Sequence, residues 1–131
     1  MIRTFIDAGV LIAAARAQGR LSARALDLID DPSREFVSSI FLQLEILPKA
    51  TFYKRDIERR FYQAFFQRVR HWAPPQDVCD LAMEIATESG LAALDALHVA
   101  AAVTTGAEQL VTTELPTKPL YRTRRLAVIA I

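Results

Sequence analysis

The chain has 131 residues, of which 52% are hydrophobic and 24% are charged. With 4 Gly, 6 Pro and a net charge of +1, this composition excludes a disordered chain, a collagen-like repeat and a low-complexity linker. The length predicts a single domain over residues 1–131 with one core. The lone Cys79 excludes an internal disulfide, so a reducing cytoplasmic location is expected.

The N-terminal segment Met1–Ala17 loosely imitates a signal peptide, with an early Arg3 followed by an apolar stretch. Asp7 interrupts that stretch, and no uninterrupted apolar run approaches the roughly 18 residues of a membrane-spanning helix. We therefore expect this segment to belong to the core and the chain to have no membrane partner.

The first half of the chain is predicted to alternate between strands and helices. Ile2–Ile6 has the β-branched, apolar composition of a buried strand. Gly, Ser and Pro residues mark the helix ends that follow. The elements are a strand over 2–6, a helix over 8–18 closed by Gly19, a helix over 22–30 with Ser22 as N-cap, a strand over 35–38, and a helix from Ser38 or Ser39 to a stop or kink at Pro48.

The second half begins with a predicted amphipathic helix over Lys54–Trp72, because apolar residues recur there every three or four positions. We expect Phe61 and Phe65 to lie in the core, and Tyr62 and Phe66 to line an oligomer or partner interface. The remaining elements are a helix over 77–90, a buried helix over 91–104, and strands over 109–113 and 126–131.

Strands separated by helical segments predict an α/β fold with a parallel sheet between helices and right-handed crossovers. Ligands of such folds gather beyond the carboxyl ends of the strands. Asp7 follows the first predicted strand, and Glu114 follows the strand over 109–113. The sequence therefore predicts a site at this edge of the sheet.

Four acidic residues stand in apolar surroundings, where an unpaired carboxylate is costly: Asp7, Glu45, Asp95 and Glu114. If they converge at about 4 Å, each pair repels by about 4 kcal/mol at an effective dielectric constant of about 20. A divalent cation would remove that repulsion. Oxygen ligands without cysteine or clustered histidine favour Mg²⁺ or Mn²⁺.

Each of these acids also has a purely structural alternative. The alternatives are a helix N-cap for Asp7, an ion pair with His98 for Asp95, an ion pair with Lys49 for Glu45, and a turn before Pro116 for Glu114. It is the set of four, taken together, that favours a functional site.

Basic residues are concentrated in two segments, since 49–71 contains seven Lys or Arg and two acids, and 118–131 contains four Lys or Arg and no acid. The alternatives are a solvated helix face with a basic tail, or contacts to a polyanion. The candidates for phosphate contacts are Lys49, Lys54, Arg55, Arg59, Arg60, Arg68 and Arg70, followed by Arg122, Arg124 and Arg125. Aromatic residues such as Phe52 and Tyr53 interleave the first segment, where they would be able to stack on unpaired bases.

Several short motifs together resemble the PIN domain family. They are Phe5-Ile6-Asp7 followed by Val10-Leu11-Ile12, the helical Glu45, the run Leu94-Asp95-Ala96-Leu97-His98-Val99-Ala100-Ala101-Ala102, and Leu110-Val111-Thr112-Thr113-Glu114. Their order and spacing match over essentially the whole chain. The resemblance implies a three-layer α/β/α fold and cleavage of a phosphodiester by an activated water at one or two divalent ions. Small stand-alone members resemble the endoribonuclease toxins of toxin-antitoxin pairs.

Carried over by position, Asp7, Glu45 and Asp95 match the family's three strongest acids. Glu114 stands where Asp is usual, and Ala8-Gly9 stands where a hydroxyl or amide side chain is usual. The resemblance implies an RNA substrate, Mg²⁺ or Mn²⁺ as cofactor, an antitoxin partner and a homodimer. The main alternative is a degenerate PIN-like module that binds RNA or protein without cleavage. A flavodoxin-like or receiver-like domain is disfavoured, because the sequence has no Gly-rich phosphate loop.

Overall fold

The computed structural model describes all residues, Met1 to Ile131. Five strands form one sheet in the order β3-β2-β1-β4-β5, and every neighbouring pair is parallel. The strands are β1 (Ile2–Ile6), β2 (Arg34–Ser38), β3 (His71–Trp72), β4 (Gln109–Thr112) and β5 (Ala127–Ala130).

Six α-helices flank the sheet and complete the predicted three-layer α/β/α sandwich, which is confirmed. They are α1 (Ala8–Arg16), α2 (Gly19–Ile29), α3 (Ile40–Phe52), α4 (Asp56–Arg68), α5 (Pro75–Ser89) and α6 (Ala93–Thr104). A short 3₁₀ turn covers Pro119–Arg122. Helix α1 packs on α2, α5 packs on α6, and α3 contacts both α1 and α6. No helix has the length and hydropathy needed to cross a bilayer.

The chain order of the strands reverses at the centre of the sheet. From β1 the chain moves outward to β2 and β3, then crosses back to β4 and β5 on the other side of β1. The register pairs Ile6 with Val111, and the Asp7 N–H donates to the Val111 carbonyl at 3.1 Å. Ligand sites in doubly wound sheets lie beyond the strand ends at such a reversal. The fold therefore brings the ends of β1 and β4 together at this position.

Helix α6 is buried on most of its faces, as its apolar sequence predicts. Ala96, Val99 and Ala100 to Ala102 are each at most 1% exposed. Small side chains let the helix lie close to the sheet and to α5. The close packing fixes where the first turn of α6, with Asp95, meets the edge of the sheet.

Two predicted helix boundaries in the first half are wrong. Helix α1 ends at Arg16, because Ala17 adopts a left-handed conformation with φ of 52°, and α2 begins at Gly19. Ser22, the predicted N-cap, therefore lies buried inside α2. Only Ala17 and Gln18 separate the two helices, and neither residue is a typical helix-ending or helix-starting residue.

Of the two outcomes predicted for Pro48, a kink or a stop, the stop is wrong. The helix continues to Phe52. A residue at position 48 would normally donate its N–H to the carbonyl of Leu44, and proline has no such donor. Leu44 is 67% exposed, so water is able to satisfy that carbonyl.

The predicted helix over Lys54–Trp72 is shorter than expected, since α4 ends at Arg68 and β3 follows. Tyr62 and Phe66, expected at an interface, are only 2% and 6% exposed. Phe65 is buried as expected, whereas Ile57 is 79% exposed. Helix α4 packs against both α1 and α3, so its buried face is wider than a single stripe at spacing four.

Candidate active site

Asp7 lies directly after β1, at the N-cap of α1. Its carboxylate accepts one hydrogen bond from the Val10 N–H at 3.2 Å and another from the Thr112 hydroxyl at 2.5 Å. Burial raises the pKa of Asp7, and the hydrogen bond from Thr112 offsets part of that increase. Asp7 is thus the N-cap of α1, as the structural alternative predicted. Its carboxylate nevertheless has no basic side chain as an ion-pair partner.

Gly9 allows α1 to approach the end of β4 closely. A Cβ atom at this position would overlap the Thr113 hydroxyl and would lie 3.4 Å from an oxygen of Asp7. The hydroxyl or amide side chain usual in this part of the family motif would not fit at position 9 without movement of Thr113. The glycine therefore belongs to the geometry of the site.

Glu45 lies on α3 and meets His98 of α6. The His98 Nε2 is 2.8 Å from a Glu45 carboxylate oxygen, and the imidazole is 5% exposed. This contact differs from both sequence alternatives, because His98 pairs with Glu45 rather than with Asp95, and Glu45 forms no ion pair with Lys49. The Phe5 ring lies 5.6 Å from the imidazole, and the His98 Nδ1 has no hydrogen-bond partner.

Asp95 lies in the first turn of α6, partly buried and without an ion-pair partner. Burial raises the pKa of Asp95, and the negative charges of Glu114 and Glu45 raise it further, while His98 acts in the opposite direction. These interactions place Asp95 within electrostatic reach of both glutamates. The convergence of all four acids on one ion stays a prediction.

Glu114 is exposed, so the expectation that it is surrounded by apolar neighbours is wrong. Its N–H donates to the Thr112 hydroxyl oxygen at 3.0 Å, and the Tyr121 hydroxyl donates to its carbonyl at 3.0 Å. Burial and the charges of Asp7 and Glu114 raise the pKa of Tyr121. Thr112 therefore links Asp7 to Glu114 across the ends of β1 and β4.

Tyr121 was not predicted from the sequence. It lies in the 3₁₀ turn over Pro119–Arg122, after a connecting segment with no motif. Tyr121 is seven residues from Glu114 in a segment without helix or strand periodicity, so the sequence gives no reason to place it near the end of β4.

The four acids offer oxygen donors alone, which is the donor chemistry that Mg²⁺ and Mn²⁺ prefer. Asp7 and Asp95 lack cationic partners, and their carboxylates sense the charge of Glu45. No group of three or more His, Cys, Asp or Glu side chains is close enough together to hold a metal ion as it stands. The donor atoms and the negative charge of these residues fit a divalent ion, but the side chains do not form a complete coordination site.

A small cleft of about 130 Å³ opens beside Glu45. Three basic residues line it, namely Arg16 of α1, Lys49 of α3 and Arg55, which follows α3. Glu58 and Tyr62 also line the cleft, and burial together with the Glu58 charge raises the pKa of Tyr62 to about 12. Lys49 and Arg55 were predicted phosphate contacts, whereas Arg16 was missed because it lies outside the basic segments.

The remaining predicted phosphate contacts do not share this cleft. Lys54 is exposed at the α3–α4 corner, Arg60 is exposed on α4, and Arg59 lies 3.5 Å from Asp56. Arg68 donates to the Ile29 carbonyl at 2.8 Å. With Arg70 it lines a separate 810 Å³ cleft next to Met1 and Asp31, near the amino ends of the strands.

In the C-terminal segment, two of the three predicted contacts have partners in the chain. Arg125 pairs with Glu88 at 3.1 Å, and Arg122 donates to the Gly90 carbonyl at 3.4 Å. These interactions attach the segment to α5 and to the turn that follows it.

Comparison with solved structures supports the same architecture. VapBC2 from Rickettsia felis, bound to a DNA fragment from its promoter, superposes with a TM-score of 0.76 at 15% identity, covering 99% of both chains. DNA-bound VapBC from Salmonella typhimurium gives a TM-score of 0.73 at 14% identity, covering 99% of this chain and 98% of that chain. A toxin-antitoxin complex from Klebsiella pneumoniae gives 0.68 at 22% identity, covering 95% of each chain.

A search of curated proteins gives no significant match. The family model of the PIN domain matches residues 4–114, which include the four acids, Thr112 and most of the sheet. The chain therefore belongs to the PIN domain family.

Proposed function

We propose that this chain, acting as one domain over residues 1–131, is a divalent-metal-dependent endoribonuclease and the toxin of a toxin-antitoxin pair. PIN domain proteins are typically nucleases. The observation that carries the proposal is the pair of uncompensated acids, Asp7 and Asp95, at the strand reversal, each within reach of the Glu45 charge. Neither acid has a basic partner to offset the burial of its charge, and the two hydrogen bonds that Asp7 accepts do not prevent the rise of its pKa.

In this proposal Asp7, Glu45, Asp95 and Glu114 hold Mg²⁺ or Mn²⁺. When bound, such an ion supplies Lewis-acid activation of water and neutralises charge at the phosphodiester. Thr112 holds Asp7 in one orientation, and His98 holds Glu45. The surplus of carboxylates would repel RNA, and the cations beside Glu45 offset that repulsion.

The partners follow from the structural relatives. Two of them are described as VapBC bound to DNA, and a third as a toxin-antitoxin complex. We propose an antitoxin as the protein partner of this chain, a homodimer as its assembly, and a cytoplasmic location where RNA is present.

The second candidate is a PIN domain that binds RNA or protein without cleavage. Two observations favour it: Glu114 is exposed, and no three acidic or histidine side chains are drawn together. It shares the fold and the basic cleft with the first candidate and differs only in chemistry.

A cleavage assay separates the two candidates. Purified protein is incubated with a labelled single-stranded RNA in Mg²⁺ or Mn²⁺, with and without EDTA, beside the Asp7→Asn and Asp95→Asn variants. We expect cleavage by the unchanged protein alone, and none in EDTA. If the unchanged protein and Asp95→Asn behave identically, the nuclease proposal fails and the binding module stands.

A further inference from the structure

The corner between α3 and α4, at the end of the helix that carries Glu45, exposes two aromatic side chains. Phe52 is 78% exposed and Tyr53 is 59% exposed, and their rings meet edge to face with centroids 5.0 Å apart. The Arg55 guanidinium lies 5.4 Å from the centre of the Tyr53 ring. Exposed aromatic residues flanked by cations are typical of surfaces on which nucleic-acid bases stack.

The corner continues one face of α3 that begins at Glu45. Glu45, Lys49 and Phe52 are separated by four and then three residues, so their side chains follow one stripe of the helix. At 1.5 Å per residue, Lys49 lies about 6 Å and Phe52 about 10 Å along the axis from Glu45. The order along the stripe is thus acid, cation, aromatic ring.

The middle of this tract is the basic cleft. Arg16 and Lys49 have no ion-pair partner, and Arg55 is 4.0 Å from Glu58. The lining also contains Glu45 and Glu58, so three cations face two carboxylates and the cleft is positive by one charge. Its volume of about 130 Å³ has room for a phosphate group with water, and the cations come from three chain segments.

Backbone hydrogen bonds close the corner that carries the aromatic pair and Arg55. Lys54 has a left-handed conformation with φ of 56°, its N–H donates to the Thr51 carbonyl at 3.1 Å, and the Arg55 N–H donates to the Ala50 carbonyl at 2.9 Å. This hydrogen-bond pair is a Schellman motif, in which glycine is the usual left-handed residue. Lysine at this position retains a positive charge at the corner, where glycine would carry none.

We propose that the tract from Glu45 through the Arg16, Lys49 and Arg55 cleft to Phe52 and Tyr53 binds single-stranded RNA, with a phosphate adjacent to the scissile one in the cleft and an unpaired base stacked on Phe52. The inference rests on the proposed function for the identity of the scissile phosphate. A base is able to lie on Phe52 only when it is unpaired, so the substrate is a single strand or a loop.

Binding is measured apart from cleavage, by fluorescence anisotropy of a labelled oligoribonucleotide with the Asp7→Asn protein in Mg²⁺. In that background, Phe52→Ala is expected to weaken binding by between about 5-fold and about 150-fold, the range for loss of one stacking aromatic. Leu44→Ala is the matched control, because Leu44 is an exposed apolar residue of the same helix outside the stripe. Phe52→Trp should retain affinity, whereas Phe52→Leu should not.

The cleft makes a separate contribution that depends on salt. Each phosphate contact removed, as in Lys49→Gln or Arg16→Gln, should reduce the slope of log Kd against log salt by about 0.7, the value for single strands. The same strand annealed to its complement should bind more weakly than the single strand. Circular dichroism and thermal unfolding of each variant show whether the fold is retained.

Three results would overturn the inference: Phe52→Ala matching Leu44→Ala, duplex binding as tightly as the single strand, or Phe52→Ala weakening a complex with an antitoxin while RNA binding stays unchanged. The last would make the tract a protein-docking surface. Cleavage by the unchanged protein is measured in parallel. An effect of Phe52 on binding without any cleavage would contradict the proposed function, and would support RNA binding by the tract without a scissile phosphate.

Discussion

Acidic residues near the amino ends of the strands form ion pairs, whereas Asp7 and Asp95 near the carboxyl ends form none. Near the amino ends, Glu35 pairs with Arg3 at 3.0 Å and with His71 at 2.8 Å, and Asp31 lies 3.3 Å from Arg34. At the carboxyl ends, neither Asp7 nor Asp95 has a basic partner. We call the first group the compensated acids, because basic side chains pair with them, and Asp7 and Asp95 the uncompensated acids.

The pKa values of these acids shift in opposite directions. Burial alone would raise the pKa of Glu35, but hydrogen bonds from His71 and Arg3 lower it overall, and hydrogen bonds from Ser33 lower the pKa of Asp31. Burial raises the pKa of Asp7 and Asp95, and nearby carboxylates add to the increase. At Glu35 and Asp31 the local donors outweigh burial, so the ionised acids stabilise the fold. At Asp7 the donors Val10 and Thr112 do not outweigh burial, and the ionised carboxyl-end acids lower the stability of the fold.

Neutralising one acid at each end tests this difference with the largest expected effect. Asp95→Asn should lose more than about 100-fold in RNA cleavage, beyond the range for loss of an outer-shell partner, and should unfold at a higher temperature at pH 7 because a repelled charge is removed. Glu35→Gln should retain cleavage and unfold at a lower temperature. The measurements are the cleavage rates and the thermal midpoints of both variants. A lower thermal midpoint for Asp95→Asn than for the unchanged protein would contradict the view that its charge destabilises the fold.

Divalent ions should act on one end only. A Mg²⁺ concentration 100 times the dissociation constant should stabilise the unchanged protein by about 2.7 kcal/mol, provided the unfolded chain binds none. Asp95→Asn should lose most of that gain, and Glu35→Gln should keep it. Thermal unfolding followed during a Mg²⁺ titration measures the gain, with Na⁺ at equal ionic strength as control.

Gly9→Ala should disturb the uncompensated end through packing rather than charge. The added Cβ overlaps the Thr113 hydroxyl, and an overpacked site of this kind costs about 1–3 kcal/mol of unfolding free energy. Cleavage should fall less than in Asp95→Asn, because Thr113 has to move whereas the added Cβ only touches Asp7 at 3.4 Å. Urea unfolding measures the loss, and Gly19→Ala, which meets no neighbouring atom but has φ of 85°, separates crowding from backbone strain.

The smallest expected effect is the pH dependence. An acid whose pKa is raised in the folded state binds protons more tightly there, so its destabilising effect disappears as the pH falls through the raised pKa. The stability advantage of Asp95→Asn should therefore be largest at neutral pH and should shrink as the pH approaches the ordinary value of 3.8. The disadvantage of Glu35→Gln should persist to lower pH, since it is complete above the unfolded pKa near 4.5 and disappears only as the pH falls through the lowered folded pKa. Urea titrations at several pH values compare the two.

The strands, the fold class and the location of the acids at the strand ends were predictable from the sequence. Hydrophobic runs next to Asp7 and Glu114 carry that information locally, and alternation of strands and helices predicts the parallel sheet. The Asp95 motif predicted an acid on a buried helix, and the structure places Asp95 in the first turn of α6.

Contacts between distant elements were not predictable. His98 was weighed as a partner of Asp95 on its own helix, but the fold gives it to Glu45, which is 53 residues away. Arg16 and Tyr121 reach the site from elements with no chemical motif. Tyr62 and Phe66 are buried because α4 packs against both α1 and α3, whereas the periodicity of apolar residues predicts only one buried stripe.

The Schellman turn at the end of α3 has one more consequence. Its two closing hydrogen bonds end on carbonyls of Ala50 and Thr51, so the backbone of this corner is tied to the last turn of the helix. A backbone already ordered before a ligand arrives loses little conformational entropy on association. The entropic cost that remains on the protein at this corner is then the ordering of the exposed side chains, and the rest falls on the partner.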